Sequence, residues 1–388
     1  MTAADPTYPL YPIACLLSAA CLLLVLLSSC IRQSWNLGVA FLCLWIFVEN
    51  VTSCINAIAW SDNADIKLLV YCDIVSRLQL ITYVVKPMAT LIIARRLYLI
   101  TCLRPVESSG KAQRNRELAL EWTLGLILPV LVAGPLYYIV QEFRFEVIEG
   151  VGCGSAQDGS GLCILLVNSW VVVPPLLSVT LYYPRVIRMF YRQKRDHGRF
   201  SNSDGSVPRN SHLRVLALAS IDILLTLPIG ITTIVLDVTN SLAENFLPFY
   251  PGWTYDHTEW APVGISNAEA EAGGTAGMAQ QYFGQWTSPV LALAIFALFG
   301  FTAEARASYM RAIRVVCGRF GLVSAAPPRT RKAHSTLGTI EFGERPPQDV
   351  SFDAEYGIPS RASDCDQLSI ARATPEHVDE DKADDYFA

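Results

Sequence analysis

The sequence predicts an all-α integral membrane protein, a bundle of seven transmembrane helices with the N-terminus outside and the C-terminus in the cytoplasm. Three observations predict it. Seven long apolar segments recur between polar loops, and a helix needs about 20 apolar residues to cross about 30 Å of hydrocarbon. Of the 388 residues, 52% are hydrophobic and only 17% charged, against about 25% charged in a typical soluble domain; mean hydropathy is +0.33. Finally, 26 of the 30 Lys and Arg residues fall on alternate loops and the C-terminal tail, the asymmetry of the positive-inside rule.

The spans are expected at about 8–31, 36–60, 66–103, 119–141, 162–191, 212–238 and 285–304. They make one helical domain over 8–304, after a short extracellular stretch over 1–7. The first segment carries Asp5 and no cation ahead of an apolar run too long for a signal peptide, so a retained helix is expected. The third segment, about 57 Å long as a helix, is expected to project Arg95 and Arg96 into the cytoplasm. Prolines inside spans mark expected kinks, chiefly at Pro174, Pro228 and Pro289. Between spans six and seven, residues 239–284 hold no Lys or Arg; the small-residue piece Ala268–Gly277 is expected to be mobile and Phe246–Trp260 to pack over the bundle. Residues 305–388 are expected to form a cytoplasmic tail, disordered beyond about 322.

Several chemistries are excluded by what the spans contain. None of the five histidines lies mid-membrane, so no metal site is expected there, and no catalytic residues. The last span has no Lys, which excludes a retinal Schiff base at that position. No phosphate loop or nucleophile elbow occurs, and no cofactor or nucleic acid is expected.

Ionisable residues within a bundle are costly in lipid and should face the interior in pairs. Helical rise places Glu49 about 20 Å and Arg77 about 18 Å above the inner face, and Lys86 and Asp222 about 5–10 Å above it. That arithmetic suggests a Glu49–Arg77 structural pair and a Lys86–Asp222 tie between the third and sixth spans. The alternative is side chains satisfied by water or snorkelling to the interface. Of the eleven cysteines, Cys72, Cys153 and Cys163 lie at the oxidising face, where Cys72 can bridge to Cys153 or to Cys163. Cys317, beside Arg314 and Arg319, is a candidate for palmitoylation.

Four stretches together carry a resemblance. They are Pro135–Cys153; Asn56-Ala-Ile-Ala-Trp60 followed by Cys72-Asp-Ile74; Ile93-Ala-Arg-Arg-Leu-Tyr98; and Trp286 with Pro289, Phe299-Gly-Phe301 and Glu304. The chain resembles, over about residues 10–315, the fungal mating-pheromone receptors of the a-factor type, seven-helix G-protein-coupled receptors of fungal class D. The resemblance implies a plasma-membrane receptor for a secreted peptide with a farnesylated C-terminal cysteine, coupled to a heterotrimeric G protein, with a homodimer as a further possible assembly. It departs at Glu142-Phe143 and Ala303 and in the long acidic loop 239–284, differences that bear on ligand identity.

In such a receptor Glu142, Arg144, Glu146 and Glu149 are the ligand-facing candidates. Arg95, Arg96, Arg192, Lys194, Arg195 and Arg214 are the G-protein-facing ones. A prenyl group is expected in an apolar cleft reachable from the outer leaflet, since each buried CH₂ contributes about 0.8 kcal/mol. The competing expectation is a seven-helix transporter or channel, disfavoured by the lack of a visible internal repeat.

Overall fold

The computed structural model describes residues 6–32, 36–102, 111–197, 206–243, 248–272, 274–302, 305–311 and 314. Seven helices among them are long and apolar enough to cross a membrane. They are α1 (Leu10–Arg32), α2 (Leu37–Ala59), α3 (Leu69–Cys102), α4 (Lys111–Ile139), α5 (Gly161–Met189), α6 (Ser206–Ala243) and α7 (Thr275–Gly300). Each presents large exposed aliphatic side chains, such as Leu16, Leu44, Ile74, Ile127, Leu165, Leu224 and Val290. In water that surface would drive aggregation; against lipid it is the solvent-facing surface.

Helix α3 is the hub and packs against α2, α4, α5 and α6, while α1 closes the ring by packing on α2 and α7. Consecutive spans run in alternating directions, which gives the bundle two distinct ends. One, the sheet end, carries three short strands, β1 (Glu146–Ile148), β2 (Gly152–Gly154) and β3 (Val263–Ile265). Strand β1 is central, antiparallel to β2 and parallel to β3. The other, the basic end, carries Arg95, Arg96 and the polar continuation of α5, helical as far as His197.

Several boundaries differ from the sequence expectation, with local causes. Helix α4 starts at Lys111 because Lys-Ala-Gln-Arg-Asn-Arg-Glu-Leu is rich in good helix formers. Helix α7 begins at Thr275, and Asn267–Ala272 forms a short helix, so most of the Ala268–Gly277 piece expected to be mobile is helical. Alanine, glutamate and glutamine favour helix strongly, and Gly274 at φ 108° takes the backbone turn between the two pieces.

The prolines have unequal effects. In α4 and α5 the backbone rewinds to wider π turns at Val132–Leu136, which contains Pro135, and at Ser178–Tyr182, one turn past Pro174 and Pro175. A missing amide donor permits that slip. At Pro228 and Pro289 the helix runs on without such a change. A further π turn, Thr123–Ile127, contains Gly125, where a Cβ would lie 2.5 Å from the Phe41 ring. Only glycine lets α2 and α4 approach so closely there.

Candidate functional site

At the sheet end the residues of two resembling stretches converge. Cys72, at the start of α3, is bonded to Cys153 of β2, closing a sequence separation of 81. Cys163 instead remains a buried free thiol. Around the bridge pack Trp60, Phe145 and Val147, all fully buried. Asn56 donates its side-chain amide to the Cys153 carbonyl (3.1 Å) and accepts from the Tyr71 hydroxyl (2.9 Å). The Gly150 N–H donates to the Trp60 carbonyl at 2.7 Å. Gly152, at φ 89°, lies against Asn56, with an added Cβ only 2.6 Å from the Asn56 Cβ. The Asn56-to-Trp60 stretch and the Gly150-Val-Gly-Cys153 stretch are thus two halves of one anchor for the sheet.

Beneath the sheet lies a cavity of about 540 Å³. Helix α3 contributes Gln79, Tyr83 and Lys86; α6 contributes Thr226, Thr233 and Asp237; α7 contributes Gln280, Gln281 and Gln285. Glu146 of β1 and Asp158 line it from the loop. Spacings of three, four or seven residues along α3 and α6, and of four between Gln281 and Gln285 on α7, place these polar groups on one face of each helix. Toward the basic end the cavity gives way to an apolar cluster that includes Leu42, Ile46, Ala89, Leu218, Leu291 and Ile295.

The cavity floor holds Lys86. Its ammonium lies 2.7 and 2.9 Å from the two Glu49 oxygens and donates to the Ser288 hydroxyl at 2.8 Å, joining α2, α3 and α7. This corrects both expected pairings. Arg77 does not reach Glu49: it donates to the Ala133 carbonyl (3.1 Å) and to Gln141 Oε1 (2.6 Å), and its guanidinium sits 4.5 Å from the Tyr137 ring centroid. Asp222, fully buried, accepts from the Thr90 hydroxyl and not from Lys86. The depth arithmetic failed because it placed the inner face too high on the long α3. Counted from the inner helix ends, Lys86 stands about 24 Å along α3 from Cys102 and Glu49 about 18 Å from Leu37, within about 6 Å of one another and within reach of a long side chain.

Of the four loop residues expected to face ligand, only Glu146 lines the cavity. Arg144 is held by a two-point contact with Asp73, Nε to Oδ1 at 2.8 Å and Nη2 to Oδ2 at 2.5 Å. Glu149 accepts from the Asn267 N–H at 2.9 Å and so fixes the short helix before α7. Glu142 is half-buried, and burial and then the charge of Asp158 push its carboxyl upward. Burial, then Glu142, raises Glu146 to about 7. Asp256 is raised to about 6, first by burial and then by Asp158, with His257 opposing. His257 stacks on Trp253 at 3.9 Å and contacts the Tyr138 carbonyl through Nε2 at 3.1 Å, holding the aromatic loop to the end of α4.

At the basic end Arg95 pairs with Glu117 at 2.5 Å and Arg96 with Glu121 at 3.6 Å, tying α3 to α4. Arg192 is exposed and Arg214 half-buried. The side chains of Lys194 and Arg195, together with Cys317, Glu304 and the tail beyond 314, lie outside the described residues.

A seven-helix bundle with a polar cavity beneath a disulfide-anchored sheet at one end, and cationic helix ends at the other, has the architecture of a heptahelical membrane receptor. The model of STE3, described as pheromone A receptor, matches residues 10–321, and the chain belongs to that family. It is 31% identical over 310 residues to the pheromone B alpha 1 receptor of Schizophyllum commune, covering 78% of this chain and 47% of that one. To pheromone receptor 1 of Ustilago hordei it is 28% identical, with 76% and 80% covered. To the pheromone a factor receptor of Saccharomyces cerevisiae it is 22% identical, with 72% and 57% covered. The chain spans about half the length of the Schizophyllum relatives it matches. It is a multi-pass plasma-membrane protein of a family of signalling receptors rather than enzymes.

Proposed function

We propose that the protein is a G-protein-coupled receptor that binds a secreted peptide pheromone with a farnesylated C-terminal cysteine and transmits that binding to a heterotrimeric G protein and the mating response. The sheet end faces the medium and the basic end the cytosol, in keeping with 26 of the 30 cations being assigned to the cytoplasmic side. The observation that carries the proposal is family membership together with a cavity placed where a peptide arriving from outside would meet it.

The apolar cluster below the cavity supports a receptor over a channel, since a permeation path would need polar groups through that layer. Signalling then requires that agonist bind the inner-open state more tightly than the closed one. Arg95 and Arg96 become available to the G protein when their glutamate partners on α4 release them.

The test is expression in a yeast strain lacking its own receptor, with farnesylated and unmodified candidate peptides and a G-protein reporter. A response to a lipidated form alone is expected. Surface-displayed protein that responds to neither form, or that carries solute without a reporter response, would overturn the proposal.

A further inference from the structure

We propose that the cavity under the sheet seats a cationic nitrogen of the ligand, an ammonium or guanidinium on its peptide portion, and that the prenyl chain stays outside the cavity against the lipid-facing helices. This rests on the receptor reading and specifies which part of the ligand enters.

The lining argues first against the prenyl chain. Among the lining residues only Leu80, Val151, Val171 and Ile229 are aliphatic. Filling such a space with hydrocarbon would strip carboxylates and amides of water without replacing their hydrogen bonds, which costs several kcal/mol per charged group. The membrane beside the bundle offers the same chain an apolar solvent at no such cost.

The charges then argue for a cation. Glu49 is already neutralised by Lys86. Glu146, Asp158 and Asp237 also line the cavity, and none has an ion-pair partner among the described residues. Asp158 is 5% exposed; neither of its carboxylate oxygens makes a hydrogen bond of good geometry, and the groups that come nearest, the Ser160 hydroxyl and N–H and the Cys163 thiol, are neutral and leave its charge unbalanced. A buried carboxylate without a counter-charge among the described residues is suited to a cation brought by a ligand.

Two of these carboxylates are also positioned. The Ser241 hydroxyl lies within bonding distance of the Gly159 carbonyl (3.3 Å) and the Asp237 carbonyl (2.8 Å), which brings the segment bearing Asp158 against the turn bearing Asp237. Asn168 donates to Asp237 Oδ2 at 3.1 Å and accepts from the Tyr83 hydroxyl at 3.5 Å. One Asp237 oxygen is thereby oriented by the protein, with the other free for a ligand. A volume of about 540 Å³ accommodates an amino terminus or one long basic side chain, not a whole peptide.

The experiment is a charge-deletion cycle in the full-length receptor. In the yeast reporter, the farnesylated peptide that elicits a response is compared with its twin in which the cation is removed by acetylating the amine or replacing arginine with citrulline. For wild type, removal should raise the half-maximal concentration about tenfold or more, and in Asp237→Asn and Asp158→Asn receptors at normal surface level that penalty should shrink to about threefold or less. An undiminished penalty in both variants would overturn the proposal.

A second measurement needs no known pheromone. Nα-acetyl-arginine methyl ester should raise the melting temperature of the purified receptor, Nα-acetyl-citrulline methyl ester, which carries no cation, should not, and both variants should abolish the difference. Equal effects of the two esters would also overturn it. If no farnesylated peptide gives a reporter response, the receptor reading fails, and the ester comparison still decides what the cavity recognises.

Discussion

Replacing Lys86 with methionine tests the buried tie at the cavity floor. The substitution keeps the length of the side chain and removes its charge. Glu49, whose side chain is 19% exposed, loses a partner at 2.7 Å, and Ser288 loses its donor. Breaking one side of a buried ion pair costs about 3–5 kcal/mol, because the other charge is left uncompensated. At about 2 °C per kcal/mol for a chain of this size, the Lys86→Met receptor should melt about 6–10 °C below wild type.

Glu49→Gln should cost less, since the new amide can still accept from the ammonium. The double variant Lys86→Met with Glu49→Leu should recover more than half of the loss, because paired buried charges contribute little net stability relative to apolar replacements. The assay is fluorescence-monitored unfolding of purified protein in detergent, with all four proteins at one pH. A Lys86→Met melt within about 2 °C of wild type, or a double variant no better than the single, would refute the three-helix tie.

Other expectations follow from the same geometry. Cys72→Ser opens a loop worth about 4.5 kcal/mol in the chain-entropy model; peptide mapping should find Cys153 as a free thiol and the sheet end should become protease-sensitive. An intact receptor with unchanged protease resistance would count against the anchor. Gly152→Ala should cost about 1–3 kcal/mol, since the added Cβ meets Asn56 at 2.6 Å on a left-handed backbone; an unshifted melt would contradict it. Glu117→Ala frees Arg95 and should raise basal reporter output at equal surface level, whereas unchanged output would detach that ion pair from resting-state control. Because the folded state lifts Glu146 to about 7 and Asp256 to about 6, it holds extra protons above the ordinary carboxylate range. The stability tied to those protons is fully present below about pH 4 and lost as pH rises through 6 to 7. The melting temperature should therefore fall between pH 5 and pH 7.5, and a flat profile would argue against the buried carboxyls; Asp256→Asn should flatten part of it.

The seven spans were legible because each apolar run is long enough to dominate its own environment, and the chain needs no partner to declare it. Cys72 was legible as a bridge for a similar reason, although sequence left Cys153 and Cys163 open and only the antiparallel pairing of β1 with β2 separates them. The ionic partners were not legible. Arg77 and Lys86 stand about 13 Å apart along α3, and which of them meets Glu49 depends on where the long α3 sits in the membrane and on the rotation of each helix, neither of which rise along an axis supplies.

Arg144 and Glu149, ligand-facing candidates by sequence, are instead consumed by Asp73 and the Asn267 N–H, groups remote in sequence. The cavity did leave a signal that went unused. Gln79, Tyr83 and Lys86, and likewise Thr226, Thr233 and Asp237, recur at helical spacing inside apolar spans. Polar groups so placed in lipid mark an interior face.

The most direct measurement places a photoreactive benzophenone amino acid at Gln281 in the cavity, or at Arg192 at the basic end, in receptors on living cells exposed to a farnesylated peptide that drives the reporter. Ligand added outside should crosslink through position 281, compete with excess peptide, and leave position 192 unlabelled. Crosslinking through 192 with none at 281 would contradict both the sidedness of the bundle and the role of its cavity.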